Sequence, residues 1–270
     1  MWLVNGQPSD SVSVQDRGLT LGDGFFTTIQ LRHGRPLLWR LHAQRLLDSA
    51  ERLRMSAPDL DSIYTRLQQL ASHGPAEACG KVMLTRGQGA RGYGIDGCGQ
   101  PTEIVSVHGY PSHYRQWQHN GICLGVCQGR LGSSSLLAGL KSLNRLEQVL
   151  LKAELEARGL PEAVVLDGGG AVVECVTANL FWCRDSVVYT PTLECSGVAG
   201  VMRAWVLAQL SQLGLACHVV SAPVSELLSA DAVFITNALM EVVPVCGIEN
   251  VIYTNHSLAR RLQTLFAQAA

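Results

Sequence analysis

The sequence predicts an α+β or α/β fold in two domains, on three observations. The chain has 270 residues of which 47% are hydrophobic, enough for one large core or two smaller ones. The spacing of its apolar residues changes from a period of two to a helical period and back again along the chain. The apolar pattern gives way over Pro111 to Asn120 to a polar and aromatic stretch, Ser-His-Tyr-Arg-Gln-Trp-Gln-His. That stretch reads as the boundary between a smaller domain at 1–115 and a larger one at 116–270.

Residues 1–38 read as short strands and turns ending in a hairpin. Its arms are Phe25-Phe26-Thr27-Thr28-Ile29-Gln30-Leu31 and Pro36-Leu37-Leu38, with a turn at His33-Gly34-Arg35. Leu41, Leu46, Leu47, Ala50 and Leu53 then mark a helix over about 40–54, and Leu60, Ile63, Leu67 and Leu70 another over about 59–72, closed by His73-Gly74-Pro75. Strands at 81–85 and 103–107 flank the glycine-rich segment Arg86 to Gly99. Past the boundary the pattern predicts a strand at 122–126, a helix at 143–158, and short strands at 163–166, 172–174, 180–183 and 187–189. A helix at 200–213, a strand at 233–236 and a helix at 257–268 complete the chain, with no internal repeat.

Charge excludes two classes of partner. Lys plus Arg number 21 against 22 Asp plus Glu, for a net charge of −1, so no excess is available to neutralise phosphate backbones or anionic lipid. No apolar run is long enough to span a bilayer, and the opening Met-Trp-Leu-Val-Asn-Gly-Gln-Pro lacks a basic segment followed by an apolar one. The expectation is an untargeted cytoplasmic protein with neither nucleic acid nor membrane as partner. Nine cysteines, without a Cys-x-x-Cys pair or a His-flanked ligand spacing, agree with a reducing compartment and imply no metal site and no disulfide framework. Cys123 and Cys127 read as two buried thiols on one strand face.

Chemistry is sought where charged residues stand among small or apolar neighbours. Lys141, in Leu137-Ala138-Gly139-Leu140-Lys141-Ser142-Leu143-Asn144-Arg145, is placed to be partly desolvated, which frees its amine for a Schiff base; the same pattern fits an exposed lysine at a helix start. Glu174 follows the triple-glycine turn Gly168-Gly169-Gly170 and three small or β-branched apolar residues. A carboxylate buried there needs a cationic or proton-sharing partner, and a protonated ring nitrogen would be one; exposure at a strand end is the alternative. Gly197-Val198-Ala199-Gly200-Val201-Met202-Arg203 runs straight into an apolar helix and so offers free N–H groups and the positive end of a dipole to a phosphate. Arg45, on the inward side of the first helix, has a guanidinium suited to the same anion, or else is a solvated helix arginine.

A Schiff-base lysine, a buried acid, a helix N-terminus and an arginine are together what a pyridoxal phosphate site requires. The chain resembles the fold-type IV pyridoxal phosphate enzymes, which include branched-chain aminotransferases, D-amino acid aminotransferases and 4-amino-4-deoxychorismate lyases. The segments that carry the resemblance are Gly22 to Thr28, Arg40 to Leu53, Gly139 to Leu150, Asp167 to Trp182, Thr190 to Arg203 and Ile235 to Val245, in family order over nearly the whole chain. The resemblance implies an α+β, two-domain fold like that of D-amino acid aminotransferases, and a homodimer. Within the group, Thr27-Thr28 stands where transaminases usually carry an acidic triplet, and Asn144-Arg145 stands where branched-chain enzymes carry Asn-Tyr. With Arg86 to Tyr93, Lys141 to Gln148 and Asn237 to Met240, these look like the bacterial lyases.

What the resemblance then implies is a lyase of folate biosynthesis that converts aminodeoxychorismate to 4-aminobenzoate and pyruvate. Lys141 would hold pyridoxal 5'-phosphate and act as base, with Thr28 as its catalytic companion. Arg45, Glu174, Asn179, Val201, Met202, Asn237 and Ala238 would bind the cofactor. Arg91, Tyr93, Tyr110 and Thr28 would meet the substrate, and no metal takes part. An aminotransferase acting on D-amino or branched-chain amino acids is the alternative enzyme reading, and a non-catalytic binding domain on this fold is the alternative of a different class.

Overall fold

The computed structural model describes residues 1–72, 74–89 and 92–269. The chain divides into two compact units, one formed by Met1–Pro111 with Lys141–Asn144 and the other by Ser112–Leu140 with Arg145 onward. The first unit contains β1 (Trp2–Val4), β2 (Gln7–Pro8), α1 (Arg17–Leu21), β3 (Gly24–Arg32), β4 (Arg35–Pro36), α2 (Trp39–Arg52), α3 (Leu60–Ala71), β5 (Glu77–Thr85) and β6 (Thr102–Gly109). Its strands form one sheet in the order β2-β1-β6-β5-β3-β4, antiparallel throughout.

The alternation read in the sequence is the alternation of this sheet. Phe25 and Ile29 of β3, with Val82, Leu84 and Val105, turn to one face and pack with Leu46 and Ala50 of α2 and Ile63 and Leu67 of α3 in a buried core. The intervening residues Phe26 and Thr28 lie on the opposite face, directly across from Met83 and Lys81. The hairpin turn is His33-Gly34, both with positive φ (49° and 77°), between the paired residues Arg32 and Arg35, as a two-residue loop that follows strand twist requires. The return arm ends sooner than its sequence suggests, because Leu38 is already the residue preceding α2.

A buried ionic cluster ties down the start of β3. Asp23 accepts from Arg17 Nε at 2.8 Å and from Arg86 Nε and Nη2 at 2.7 and 3.0 Å. Burial raises the Asp23 carboxyl, but the hydrogen bonds and charges of Arg86 and Arg17 outweigh it and hold the group below the usual carboxylate range. Arg86 also donates to the carbonyls of Leu53 and Arg54, and Arg17 to that of Gly92, so one carboxylate organises the end of α2 and the beginning of the glycine-rich segment.

The second unit contains α4 (His113–Asn120), β7 (Ile122–Leu131), α5 (Leu146–Ala157), β8 (Ala163–Asp167), β9 (Val172–Cys175), β10 (Asn179–Arg184), β11 (Val187–Pro191), α6 (Val201–Gln212), β12 (Cys217–Val220), α7 (Val224–Leu228), β13 (Ala232–Asn237), β14 (Glu241–Ile248), β15 (Val251–Ile252) and α8 (Ser257–Ala269). The sheet runs β12-β11-β10-β13-β14-β7-β8-β9, with β15 on β14. It is mixed: β7 runs parallel to β14 and β8, and β11 parallel to β12. Leu180, Trp182, Val233, Ile235, Val243 and Val245 build the core on one face, and the cross-strand pair Phe181 and Phe234 stacks at 5.0 Å on the other.

Several sequence expectations are corrected here. The polar stretch read as the boundary contains a helix the sequence did not show, α4, whose half-buried Tyr114 and Trp117 pack against the core of the second unit. The helix expected from 143 begins at Leu146, because the 141–143 segment is hydrogen-bonded to β3, with Phe26 N–H donating to the Lys141 carbonyl and Leu143 N–H to the Gly24 carbonyl, both at 2.9 Å. β14 was not anticipated as a strand; Pro244 lies in its interior, where a proline argues against a central strand. Cys127 is buried but Cys123 is exposed. Ile122, Leu124 and Val126 turn to one core and Cys127 to another, so the two thiols fall on the same strand face as expected but only Cys127 is covered.

His42, fully buried on α2 and hydrogen-bonded through Nδ1 to the Thr27 hydroxyl at 2.7 Å, has its pKa pulled well below 6.5 by burial, and further by the charge of Arg45. An unfolded chain therefore takes up a proton below pH 6.5 that the folded one refuses, so this contribution to stability is intact above that pH and is lost as the pH falls. Urea unfolding at pH 7.5 and 5.5 should show the wild type losing about 1 kcal/mol more than His42→Asn over that interval. Equal losses in the two proteins would contradict the assignment.

Candidate active site

In the first unit, Lys141 is half-buried and its Nζ lies 4.6 Å from the centroid of the Phe26 ring, a cation–π distance. The side chain is aimed there by its backbone, since the 141–143 segment pairs with β3 and Ser142 bridges Phe25. Asn144 Nδ2 donates to the Gly22 carbonyl at 3.1 Å. A Cβ on Gly22, whose φ is +64°, would stand 2.5 Å from Asn144 Oδ1, so the glycine is needed for both space and backbone conformation. The Lys81 Nζ approaches the same Phe26 ring at 5.0 Å, and Thr28 faces Lys81 across the β3–β5 pairing. Lys81 was not anticipated; its signal was only its strand register, which a single sequence does not display.

Other expected residues of this unit are dispersed. Arg45 is half-buried on α2, one turn from His42, and burial brings its pKa down to about 10. Tyr110 is half-buried just after β6, whereas Tyr93 is 89% exposed on the glycine-rich segment. Arg91 lies outside the described residues.

In the second unit, the triple glycine makes the anticipated turn. Asp167 Oδ1 accepts from the N–H groups of Gly169 and Ala171, each at 2.9 Å. The chain then enters β9, where Glu174 is buried at 5% exposure. Its Oε2 accepts from Val198 N–H at 2.9 Å and from Asn179 Nδ2 at 3.5 Å, and the same Asn179 amide donates to the Val198 carbonyl at 2.8 Å. Glu174, Asn179 and the loop before α6 are thus one hydrogen-bonded group. Gly200 precedes α6 without any side-chain cap. A Cβ there would come 2.0 Å from Asn179 Oδ1, so only glycine permits this approach of loop to amide. Val201 and Met202, the first residues of α6, are buried.

Asn237 closes β13, its Oδ1 accepting from Leu239 and Met240 N–H, both at 2.8 Å, and its Nδ2 donating to the Thr177 carbonyl at 3.0 Å. Ala238 is half-buried in the same turn. Arg145 is a residue that sequence reasoning left without a role. Burial lowers its pKa, and the charges of Glu174 and then Glu147 oppose that shift, so it stands within electrostatic reach of Glu174. Among the described residues no group of three or more His, Cys, Asp or Glu side chains is placed to hold a metal ion, and no helix is long and apolar enough to cross a membrane.

Each unit by itself holds groups that suit pyridoxal phosphate: the first a half-buried primary amine against an aromatic ring and a desolvated guanidinium, the second a buried carboxylate whose protein partners are donors and a helix N-terminus with no side-chain cap.

The comparisons agree. Amino-transferase class IV matches residues 24–248. An aminodeoxychorismate lyase from Vibrio harveyi is 40% identical over 97% of this chain and 98% of its own length. The crystal structure of 4-amino-4-deoxychorismate lyase from Pseudomonas aeruginosa superposes with a TM-score of 0.93 at 35% identity, covering 99% of this chain and 98% of that one. A D-alanine aminotransferase from Bacillus licheniformis is 27% identical over 88% of this chain and 83% of its own. By sequence and by fold, therefore, the chain belongs to the class IV aminotransferases, the fold-type IV enzymes.

Proposed function

We propose that this chain is a pyridoxal 5'-phosphate-dependent lyase that converts 4-amino-4-deoxychorismate to 4-aminobenzoate and pyruvate, a reaction of folate biosynthesis in the cytoplasm. The observation that carries the reading is the 40% identity to the Vibrio harveyi lyase over 97% of the chain, which leaves almost none of either unit outside the match. Nine cysteines, free throughout, suit a reducing compartment.

When bound, the cofactor supplies an aldehyde that condenses with amines and a ring that takes up the electron pair left by a departing proton. Lys141 Nζ is the amine that would hold it. The same Nζ, as a free amine, would act as the base that takes the proton from the substrate ring carbon bearing the 4-amino group. Glu174, oriented by Val198 N–H and Asn179, keeps a proton on the cofactor's ring nitrogen. Arg45, the N–H groups of Val201 and Met202, and the Asn237-Ala238 turn hold the phosphate. The Thr28 hydroxyl donates to the ether oxygen that leaves with the three-carbon fragment. Arg91 and Lys81 would pair with the two carboxylates of the substrate, and Tyr93 and Tyr110 would wall it.

The second reading, a D-amino or branched-chain amino acid aminotransferase, is favoured by the similarity to the Bacillus licheniformis enzyme and would use the same Lys141 and Glu174. Two incubations separate the readings. With aminodeoxychorismate the loaded wild type should release 4-aminobenzoate and pyruvate, at a rate that Lys141→Ala lowers roughly a thousandfold. With D-alanine or a branched-chain amino acid and 2-oxoglutarate it should form little glutamate. Rapid glutamate formation without 4-aminobenzoate would establish the transaminase, and absence of a visible cofactor band would leave a binding domain.

The homodimer is supported by the surface of α5. Leu146, Val149 and Leu150 are 71%, 60% and 64% exposed, at spacings that put them on one helix face, and an apolar strip of this kind marks an association surface. Light scattering should give twice the chain mass of 29.1 kDa for the wild type and a shift toward the single chain for Val149→Asp. A wild type at the mass of one chain would contradict the dimer.

A further inference from the structure

Glu162, the residue before β8, is 1% exposed and takes no part in the chemistry above. Its carboxylate is surrounded by donors. Oε1 accepts from the N–H groups of Ala163 and Val176 at 3.0 and 2.9 Å, and Oε2 from Thr177 N–H at 3.1 Å and from the Thr177 hydroxyl. Only an acceptor on both oxygens satisfies this arrangement, which is the property of a carboxylate and not of an amide. Burying such a group is costly, and what it holds is the turn from β9 to β10.

That turn has Glu174 on one side and Asn179 on the other. Its Thr177 carbonyl receives Asn237 Nδ2 at 3.0 Å, while Asn237 Oδ1 holds Leu239 and Met240 N–H. An unbroken chain of hydrogen bonds thus runs from Glu162 through Thr177 to Asn237, and the same turn carries the backbone to Glu174 and Asn179. We propose that Glu162 is a positioning residue: by clamping Val176 and Thr177 it fixes the spacing between Glu174, at the cofactor's ring nitrogen, and the Asn237-Ala238 turn, at its phosphate. The inference rests on pyridoxal phosphate binding, but not on whether the enzyme is a lyase or a transaminase.

The test is equilibrium binding of pyridoxal phosphate to the full-length apoprotein, read by its visible absorption spectrum and fluorescence, with far-UV circular dichroism and thermal melting on each variant. Glu162→Gln keeps the shape but turns an NH2 toward one of the donors; its Kd should rise about tenfold or more, with a changed absorption spectrum as the acid at the ring nitrogen loses its place. Thr177→Val, which removes only the hydroxyl, should raise Kd severalfold, and Thr177→Ser should bind like the wild type. The double variant Glu162→Gln/Thr177→Val should bind no more weakly than Glu162→Gln alone, since both act on one clamp. If Glu162→Gln does not fold, the contrast between Thr177→Val and Thr177→Ser decides. Folded variants that bind with the wild-type Kd and spectrum, however lowered their melting temperature, would overturn the positioning role alone. A wild type that does not bind the cofactor would overturn both this role and the cofactor assignment beneath it.

Discussion

Two backbone hydrogen bonds, from Phe26 N–H to the Lys141 carbonyl and from Leu143 N–H to the Gly24 carbonyl, both at 2.9 Å, fix the start of the side chain proposed to hold the cofactor. A lysine has a flexible four-carbon stem, and ordering it by its ammonium alone would cost rotamer entropy at every turnover. Here the main chain is held first. The 141–143 segment pairs with β3, so the stem starts from a rigid point and brings Nζ over the Phe26 ring. The sheet that provides this support is in turn held from its other face by the packing of Phe25 and Ile29 on α2 and α3, and at its entry by Asp23 between Arg17 and Arg86.

The second unit solves a different problem, that of aiming a carboxyl group inside a protein. Glu174 does this with a backbone N–H and an amide side chain, and the glycine at 200 lets the loop come close enough to the Asn179 amide. Glu162 is likewise aimed by donors, four of them, although burial raises its pKa. N–H groups oriented by such contacts are preorganised dipoles that need not rearrange when a charged ligand arrives. That is the physical sense in which residues that never touch a ligand set how tightly it is held.

Much of this was legible in the sequence because it depends on local pattern. The hairpin at His33-Gly34, the helices α2, α3, α6 and α8, and the turn before Glu174 follow from period, glycine and apolar spacing. The order of glycine, lysine and acidic segments carried the family. What was hidden depends on partners distant in the chain. Lys81 becomes notable only when register sets it across from Thr28, and Glu162 only when its oxygens meet the 176–177 turn. The start of α5 was misread because Leu143 satisfies a helical period while its N–H is committed to Gly24. α4 was misread because histidines, arginine and glutamines outnumber the two aromatic residues that bury it.

The central claim is that Lys141 is the amine that takes up the cofactor. Reduction of the pyridoxal phosphate-loaded protein with borohydride makes any carbon–nitrogen link permanent, and peptide mapping then locates it. A single phosphopyridoxyl group on the peptide containing Lys141 is the predicted result. A label on Lys81 or another lysine, or an unlabelled chain, would contradict the account.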